Sequence, residues 1–208
     1  NIAVSLSGGV DSMVLIYIIK FLINNNAITV RNLYAIHINY NNRSESIDEA
    51  IYLRNFCKIL NIPLIYRSID HIKRNDNNRD FYEEHTKKLR FSVYKYSIEK
   101  FNLDGICLGH HKDDLSENVF MNFMRTNLTD LFQMKEKSII DDVPLIRPML
   151  KNLKKDIIEF SVINGIKYFK DTTPTWSCRG IMRIRIFPEL IKMNLYDNLY
   201  KCGTNFAE

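Results

Sequence analysis

Ser5-Leu6-Ser7-Gly8-Gly9-Val10-Asp11-Ser12 is the stretch that decides the fold of this chain. An apolar run ending at Val4 precedes it and the apolar run Met13–Ile19 follows it, so it reads as a turn between a strand and a helix. Gly8 and Gly9 admit backbone angles closed to other residues and let the chain approach a ligand closely. A helix starting near Asp11 aims free N–H groups and the positive end of its dipole into that turn. Ser7 and Ser12 add hydroxyl donors, and Asp11 adds a carboxylate suited to a metal ion. Ser7, Gly8, Gly9, Val10, Asp11 and Ser12 together make a pocket for phosphate.

The Walker pattern requires a lysine in the turn, and none is present. The stretch resembles instead the S-G-G-x-D-S signature of the PP-loop (N-type) ATP pyrophosphatases. That resemblance implies cleavage of ATP to AMP and pyrophosphate, with the loop gripping the pyrophosphate. The bland alternative is a chance Gly-Gly turn, which six matched positions at a strand-to-helix junction disfavour.

Outward from the loop, the 208 residues suit one domain with at most a short appendage, and 46% hydrophobic content supports a sizeable core. No apolar stretch reaches the roughly 18 to 20 residues of a membrane span. The chain opens inside its first strand, which predicts a cytoplasmic protein, or an organellar one whose targeting segment has been trimmed. Cys57, Cys107, Cys178 and Cys202 form no CxxC pair, so they read as small hydrophobes in a reducing compartment. The net charge of +5 suits a phosphate-rich partner without specifying one.

Strand and helix patterns alternate. Strands are expected at Ile2–Ser5, within Val30–Asn39, at Pro63–Ser68 and at Gly105–Leu108. Helices are expected at Asp11–Leu22, Ser44–Leu60, Arg79–Phe101 and Asp114–Arg125. The second helix carries an apolar stripe through Ile47, Ala50, Ile51, Cys57 and Leu60, broadened by Leu53 and Phe56. This order predicts an α/β fold with a doubly wound, mainly parallel sheet and flanking helices, Rossmann-like and similar to the adenine nucleotide alpha hydrolases. Ligands of such sheets bind beyond the carboxyl ends of the strands. The segments Ser7–Ser12, His37–Arg43 and Gly109–Asp114 all follow or close predicted strands and should gather there. Thr126–Asp142 shows no period and reads as a loop. Leu153–Asn164 reads as a helix closed by Gly165, and Arg179–Met193 as a final helix interrupted by Pro188. Residues 1–125 are expected to form the ATP-binding core, and residues 126–208 a C-terminal extension of the same catalytic domain in contact with the nucleic acid.

Gly109-His110-His111-Lys112-Asp113-Asp114-Leu115-Ser116-Glu117-Asn118 is the second strong signal. With Asp113 as the helix cap, Asp114 and Glu117 lie three apart on one face. Two carboxylates there hold Mg²⁺, or orient and deprotonate an amine. The alternative is a capping aspartate, a glutamate that complements the helix dipole and two solvated histidines.

Taken together these motifs resemble the tRNA(Ile)-lysidine synthases over most of residues 1 to 190. His37-Ile38-Asn39-Tyr40-Asn41-Asn42-Arg43 matches the family's segment after the second strand. Leu89-Arg90-Phe91 matches an Arg-aromatic pair, His110 to Asn118 the H-H-x-D-D segment, and Ile146-Arg147-Pro148-Met149 an Ile-Arg-Pro-Leu turn. Asp171-Thr172-Thr173-Pro174, with Arg179 and Arg183, matches the last motif loosely. Leu115, Asn118 and Trp176–Gly180 depart from the family pattern.

The resemblance implies that ATP, with Mg²⁺ on Asp11, adenylates a wobble cytidine of an isoleucine tRNA, after which free lysine displaces AMP. It assigns His37 to the nucleotide side and makes Asp114, Glu117 and Arg90 catalytic. Arg43, His110, Arg179 and Arg183 fall to the tRNA or lysine side. Phe81, Tyr82 and Trp176 are candidates to stack a splayed base, with core burial favoured for Phe81. The rival within the superfamily is a tRNA thiolation enzyme of the 2-thiocytidine type, and the absence of paired cysteines counts against it. A rival of another class is a nucleotide-binding RNA module without turnover.

Overall fold

The computed structural model describes residues 1–42, 44–69, 79–127, 134–170, 173 and 175–205. Its frame is a six-stranded sheet in the order β3-β2-β1-β4-β6-β5. The strands are β1 (Ile2–Ser5), β2 (Leu33–Asn39), β3 (Leu64–Ser68), β4 (Gly105–Cys107), β5 (Lys137–Ile140) and β6 (Val143–Ile146). The pairs β1–β2, β2–β3, β1–β4 and β4–β6 are parallel, and β5 joins β6 antiparallel. The fold is thus α/β, Rossmann-like, with a mainly parallel sheet and flanking helices.

Alternation along β1 and β2 builds both faces of the sheet. Val4, Leu33 and Ala35 join one core with Met13, Val14, Ile16 and Ile19 of α1 (Val10–Asn24), Leu53 and Cys57 of α2 (Ser46–Ile59) and Ile157 of α5 (Lys154–Ile163). Ala3 and Ile36 point the other way and meet Phe91 and Tyr94 of α3 (Arg79–Phe101). α1 is apolar on most of its circumference because the sheet, α5 and its own flanks cover it. A smaller cluster joins Leu115 and Val119 of α4 (Lys112–Met124) to Leu199 and Tyr200 of α8 (Tyr196–Asn205).

Four local expectations need correction. The loop expected over Thr126–Asp142 contains β5, which supplies the antiparallel edge of the sheet. Its four residues are too short for a period to show. The stripe of α2 is narrower than expected: Ile47 and Ile51 are 64% and 53% exposed, and Leu53 and Cys57 carry the burial. Phe81 is 65% exposed and stacks on His85 instead of entering the core. The final stretch is α6 (Cys178–Ile181), a π-helical turn (Met182–Ile186) and α7 (Phe187–Lys192), with α8 beyond it. Pro188 opens α7 in its first turn, where its missing N–H costs nothing.

Candidate active site

The strand order reverses between β1 and β4, and the crevice opens at the carboxyl ends of those two strands. β1 ends at Ser5 and α1 begins at Val10. In the turn between them Gly8 has φ +89°, and a Cβ there would lie 2.6 Å from Cδ2 of Phe169. The amide of Phe169 donates to the Gly8 carbonyl at 2.9 Å. Ser12 Oγ accepts from the amides of Ser7 and Gly8, both at 3.2 Å, and donates to the Gly9 carbonyl at 3.0 Å. Gly9 caps α1 without a side-chain hydrogen bond, so the first-turn amides face the crevice with the positive end of the dipole.

The loop after β4 comes up beside this turn. Gly109 permits the approach, since a Cβ on it would sit 3.0 Å from the Asp11 carbonyl carbon. The cap of α4 is His111 and not Asp113. Asp114 Oδ2 accepts the His111 amide at 3.0 Å, which closes the helix end from the third position. Asp113 is thereby released to brace the site from behind. It accepts the Lys154 amide at 2.7 Å and the Tyr196 hydroxyl at 2.5 Å.

Charge is concentrated here. The Lys154 ammonium lies 2.6 Å from both oxygens of Asp11. The buried His111 ring has Nε2 at 3.3 Å from Asp114 and 3.6 Å from Asp11, and Nδ1 at 3.5 Å from Asp113. Burial opposes a charge on His111, but these three carboxylates outweigh it and raise its pKa above the ordinary histidine value. Burial likewise presses on Asp113. The nearby His111 ring and the hydrogen bonds from Tyr196 and the Lys154 amide overcome it and hold the carboxyl below the usual carboxylate range. Glu117 is 3% exposed and is paired with Arg183, whose Nε and Nη2 both donate to it, the latter at 3.1 Å. The same guanidinium stands 3.9 Å from Asp114.

Two cavities adjoin. One of about 380 Å³ is lined by Ser7, Gly9, Val10, Asp11, Asp114 and Tyr168, among others. The second, of about 340 Å³, is lined by Asp113, Glu117, Phe187, Pro188, Ile191 and Tyr196. His111, Lys154 and Arg183 line both and form the partition. The first has backbone donors for phosphate, and the second has carboxylates beside an apolar wall.

The other expected site residues are distributed unevenly. His37 is buried beneath the turn, with Nδ1–H donating to the Leu6 carbonyl at 2.8 Å, and burial lowers its pKa. It is not among the residues lining the cavity. Arg90 is exposed on α3, and its charge acts on Tyr40, Tyr94 and His110. Arg179 is exposed on α6, outside both cavities. Arg183 faces inward onto Glu117 rather than outward with Arg179, because the π-helical turn begins between them. Arg43 lies outside the described residues, as do Asp171, Thr172 and Pro174. Lys154, Tyr168, Phe169 and Tyr196 were not expected. All four come from segments after residue 150, and no motif in the sequence flagged them.

Among the described residues no three His, Cys, Asp or Glu side chains converge to cage a metal. Mg²⁺ bound with nucleotide needs no such cage, because one or two carboxylates, phosphate oxygens and water complete its shell. Asp11 fits that demand, since it lines the phosphate-side cavity, and Lys154 would have to leave its oxygens to admit the ion.

The family model of the PP-loop domain matches residues 1–190. The chain belongs to the PP-loop family. The family is one of ATP-binding domains. Curated relatives carry the name tRNA(Ile)-lysidine synthase. The protein of Chlamydia pneumoniae is 30% identical over 98% of this chain and 63% of its own length. Those of Mycoplasma mycoides and Persephonella marina are 29% and 28% identical, over 82% and 93% of this chain and 41% and 42% of their own lengths. The chain thus spans between 41% and 63% of the length of these relatives. Among solved structures, the U34-tRNA thiolase NcsA from Methanococcus maripaludis, with its [4Fe-4S] cluster, matches at a TM-score of 0.75. That match covers 99% of this chain and 70% of the other at 22% identity, and it shows a shared fold. No helix among the described residues is long and apolar enough to cross a membrane.

Proposed function

We propose that this PP-loop domain adenylates the C2 oxygen of a wobble cytidine in an isoleucine tRNA and then joins free lysine to that carbon, forming lysidine, AMP and pyrophosphate. The observation that carries the reading is the pair of adjoining cavities. The phosphate-binding turn and Asp114 line one and Glu117 lines the other across a shared partition, so a nucleotide and an amine can meet there. The names of the curated relatives agree with it.

In the first step the cytidine oxygen attacks the α-phosphorus and pyrophosphate leaves. The first-turn amides of α1 hold the departing oxygens, joined by the amides of Ser7 and Gly8 once these leave Ser12 Oγ. Asp11 would hold Mg²⁺, which supplies positive charge against the pyrophosphate. Arg90, exposed on α3 and acting electrostatically on His110, serves the charge that develops on the base or phosphate. In the second step the lysine ε-amine attacks C2 and AMP leaves. Lysine arrives as an ammonium, so Asp114 and Glu117 bind it and take its proton. Residues 126–208 supply part of this acceptor side through Lys154, Arg183 and Tyr196, and Arg43 and Arg179 are left for tRNA phosphates.

The test is an incubation of the chain with ATP, Mg²⁺, lysine and minor isoleucine tRNA. The reading expects AMP and pyrophosphate in step with incorporation of labelled lysine. Pyrophosphate release without incorporated lysine contradicts lysidine formation and leaves only the adenylation.

A further inference from the structure

Arg147 is 3% exposed, and its hydrogen bonds run to neutral acceptors. Nη1 donates to the Lys135 carbonyl at 2.7 Å and to Ser138 Oγ at 2.8 Å, while Nε donates to His110 Nδ1 at 3.1 Å. The Arg147 amide donates to the Glu136 carbonyl at 2.7 Å, so the residue is tied at both ends to the strand β5 region. A guanidinium has donors only and stays charged. The ring nitrogen it faces must therefore present a lone pair, which leaves the single ring proton of His110 on Nε2. No hydrogen bond to that nitrogen exists among the described residues.

We infer that Arg147 is a positioning residue which fixes His110 as a neutral Nε2–H donor, and that this donor takes an uncharged acceptor such as a carbonyl oxygen of the substrate base, not a phosphate. A second observation points the same way. Four charged or titratable groups act on His110: Asp114 favours the imidazolium, whereas Arg147, Arg90 and His111 oppose it. Burial is the largest cause and, with these three groups, holds the ring well below the ordinary histidine range. A histidine meant for phosphate would profit from the second proton that this surrounding denies. The choice of base as the acceptor rests on the function proposed above; the tautomer does not.

Two measurements test the two halves. The chain has five histidines, so ¹⁵N spectra of histidine-labelled full chain at pH 7 are simple, and His110→Asn assigns the His110 signals. The inference expects a neutral Nε2–H ring in the wild type, a mixture of tautomers in Arg147→Gln, and a smaller shift in the same direction in Ser138→Ala. An Nδ1–H or charged His110 in the wild-type chain overturns the tautomer whatever the variants do. For the acceptor, binding of minor isoleucine tRNA is measured against salt in the wild type and His110→Ala. The inference expects at least a fivefold loss of affinity with an unchanged salt slope. A slope reduced by about one marks a phosphate contact and overturns the acceptor class, and an unchanged affinity overturns the contact itself. Failure of the wild-type chain to bind tRNA counts against the proposed function, and the tautomer result stands apart from it.

Discussion

Lys154 Nζ lies 2.6 Å from both carboxylate oxygens of Asp11, joining the first turn of α5 to the first turn of α1 across 143 positions of sequence. The pair is partly exposed, at 33% and 26%, so its net contribution to stability is about 1 kcal/mol or less. Its importance is in the site, where the ammonium neutralises the carboxylate that faces the phosphate loop.

Lys154→Met is expected to leave thermal stability nearly unchanged and to weaken ATP binding about tenfold, or about 1.4 kcal/mol, through loss of a cation beside the phosphates. Asp11→Asn is expected to abolish pyrophosphate release while the chain remains folded. Nucleotide titration calorimetry together with a pyrophosphate assay checks both. Equal ATP affinity in Lys154→Met contradicts the placement of phosphate beside this residue.

Gly8 and Phe169 make a coupled pair. Gly8→Ala places a Cβ at φ +89° and 2.6 Å from the Phe169 ring, and should cost about 1–3 kcal/mol and most of the ATP affinity. Adding Phe169→Ala removes the collision and leaves only the backbone strain, so the double variant should be less damaged than the sum of its parts. Denaturant unfolding of all four chains gives the coupling energy. Strict additivity contradicts the packing of Phe169 on the loop.

Arg183→Ala strands the Glu117 carboxylate, which is 3% exposed, and should cost about 3 kcal/mol. Arg183→Ala with Glu117→Gln should recover part of that loss, because the uncompensated charge is gone. Urea midpoints report the rescue, and an Arg183→Ala chain no less stable than the wild type contradicts the buried pair.

Burial pushes the Asp113 carboxyl up, but the nearby His111 ring and the hydrogen bonds from Tyr196 and the Lys154 amide override it and hold the group below the usual carboxylate range. A carboxyl with a depressed folded-state pKa adds stability above its unfolded pKa, near 4, and loses it as pH falls through the folded value. Tyr196→Phe removes one of these donors. The wild type should therefore exceed Tyr196→Phe in stability at pH 7, with the gap closing steadily below pH 4. A gap independent of pH from 7 to 2 assigns the loss to packing instead.

The part of this architecture that sequence discloses is the part with local signals. β1, the loop and α1 are contiguous, so Gly-Gly between hydroxyls and two apolar runs suffices to place them. The α3 pattern likewise gives Arg79–Phe101 directly. Local preference points to Asp113 as the cap because Asp is a strong N-cap residue, whereas the fold sets His111 there and turns Asp113 onto Lys154 and Tyr196. Those partners lie 41 and 83 positions away, beyond any local rule. Lys154 and Phe169 were invisible for the same reason. α8 escaped notice because its apolar face is completed by α4, with Gly203 admitting Leu115 and Val119 at close range.

The central claim is that the phosphate loop and the Asp114–Glu117 carboxylates serve one reaction, and nucleoside mass spectrometry of minor isoleucine tRNA tests it most directly. The tRNA is incubated with the chain, ATP and lysine, then digested to nucleosides. The account predicts a cytidine heavier by one lysine less one water, absent with Asp11→Asn and absent when lysine is omitted. A cytidine of unchanged mass, or one that gains sulfur in place of lysine, contradicts it.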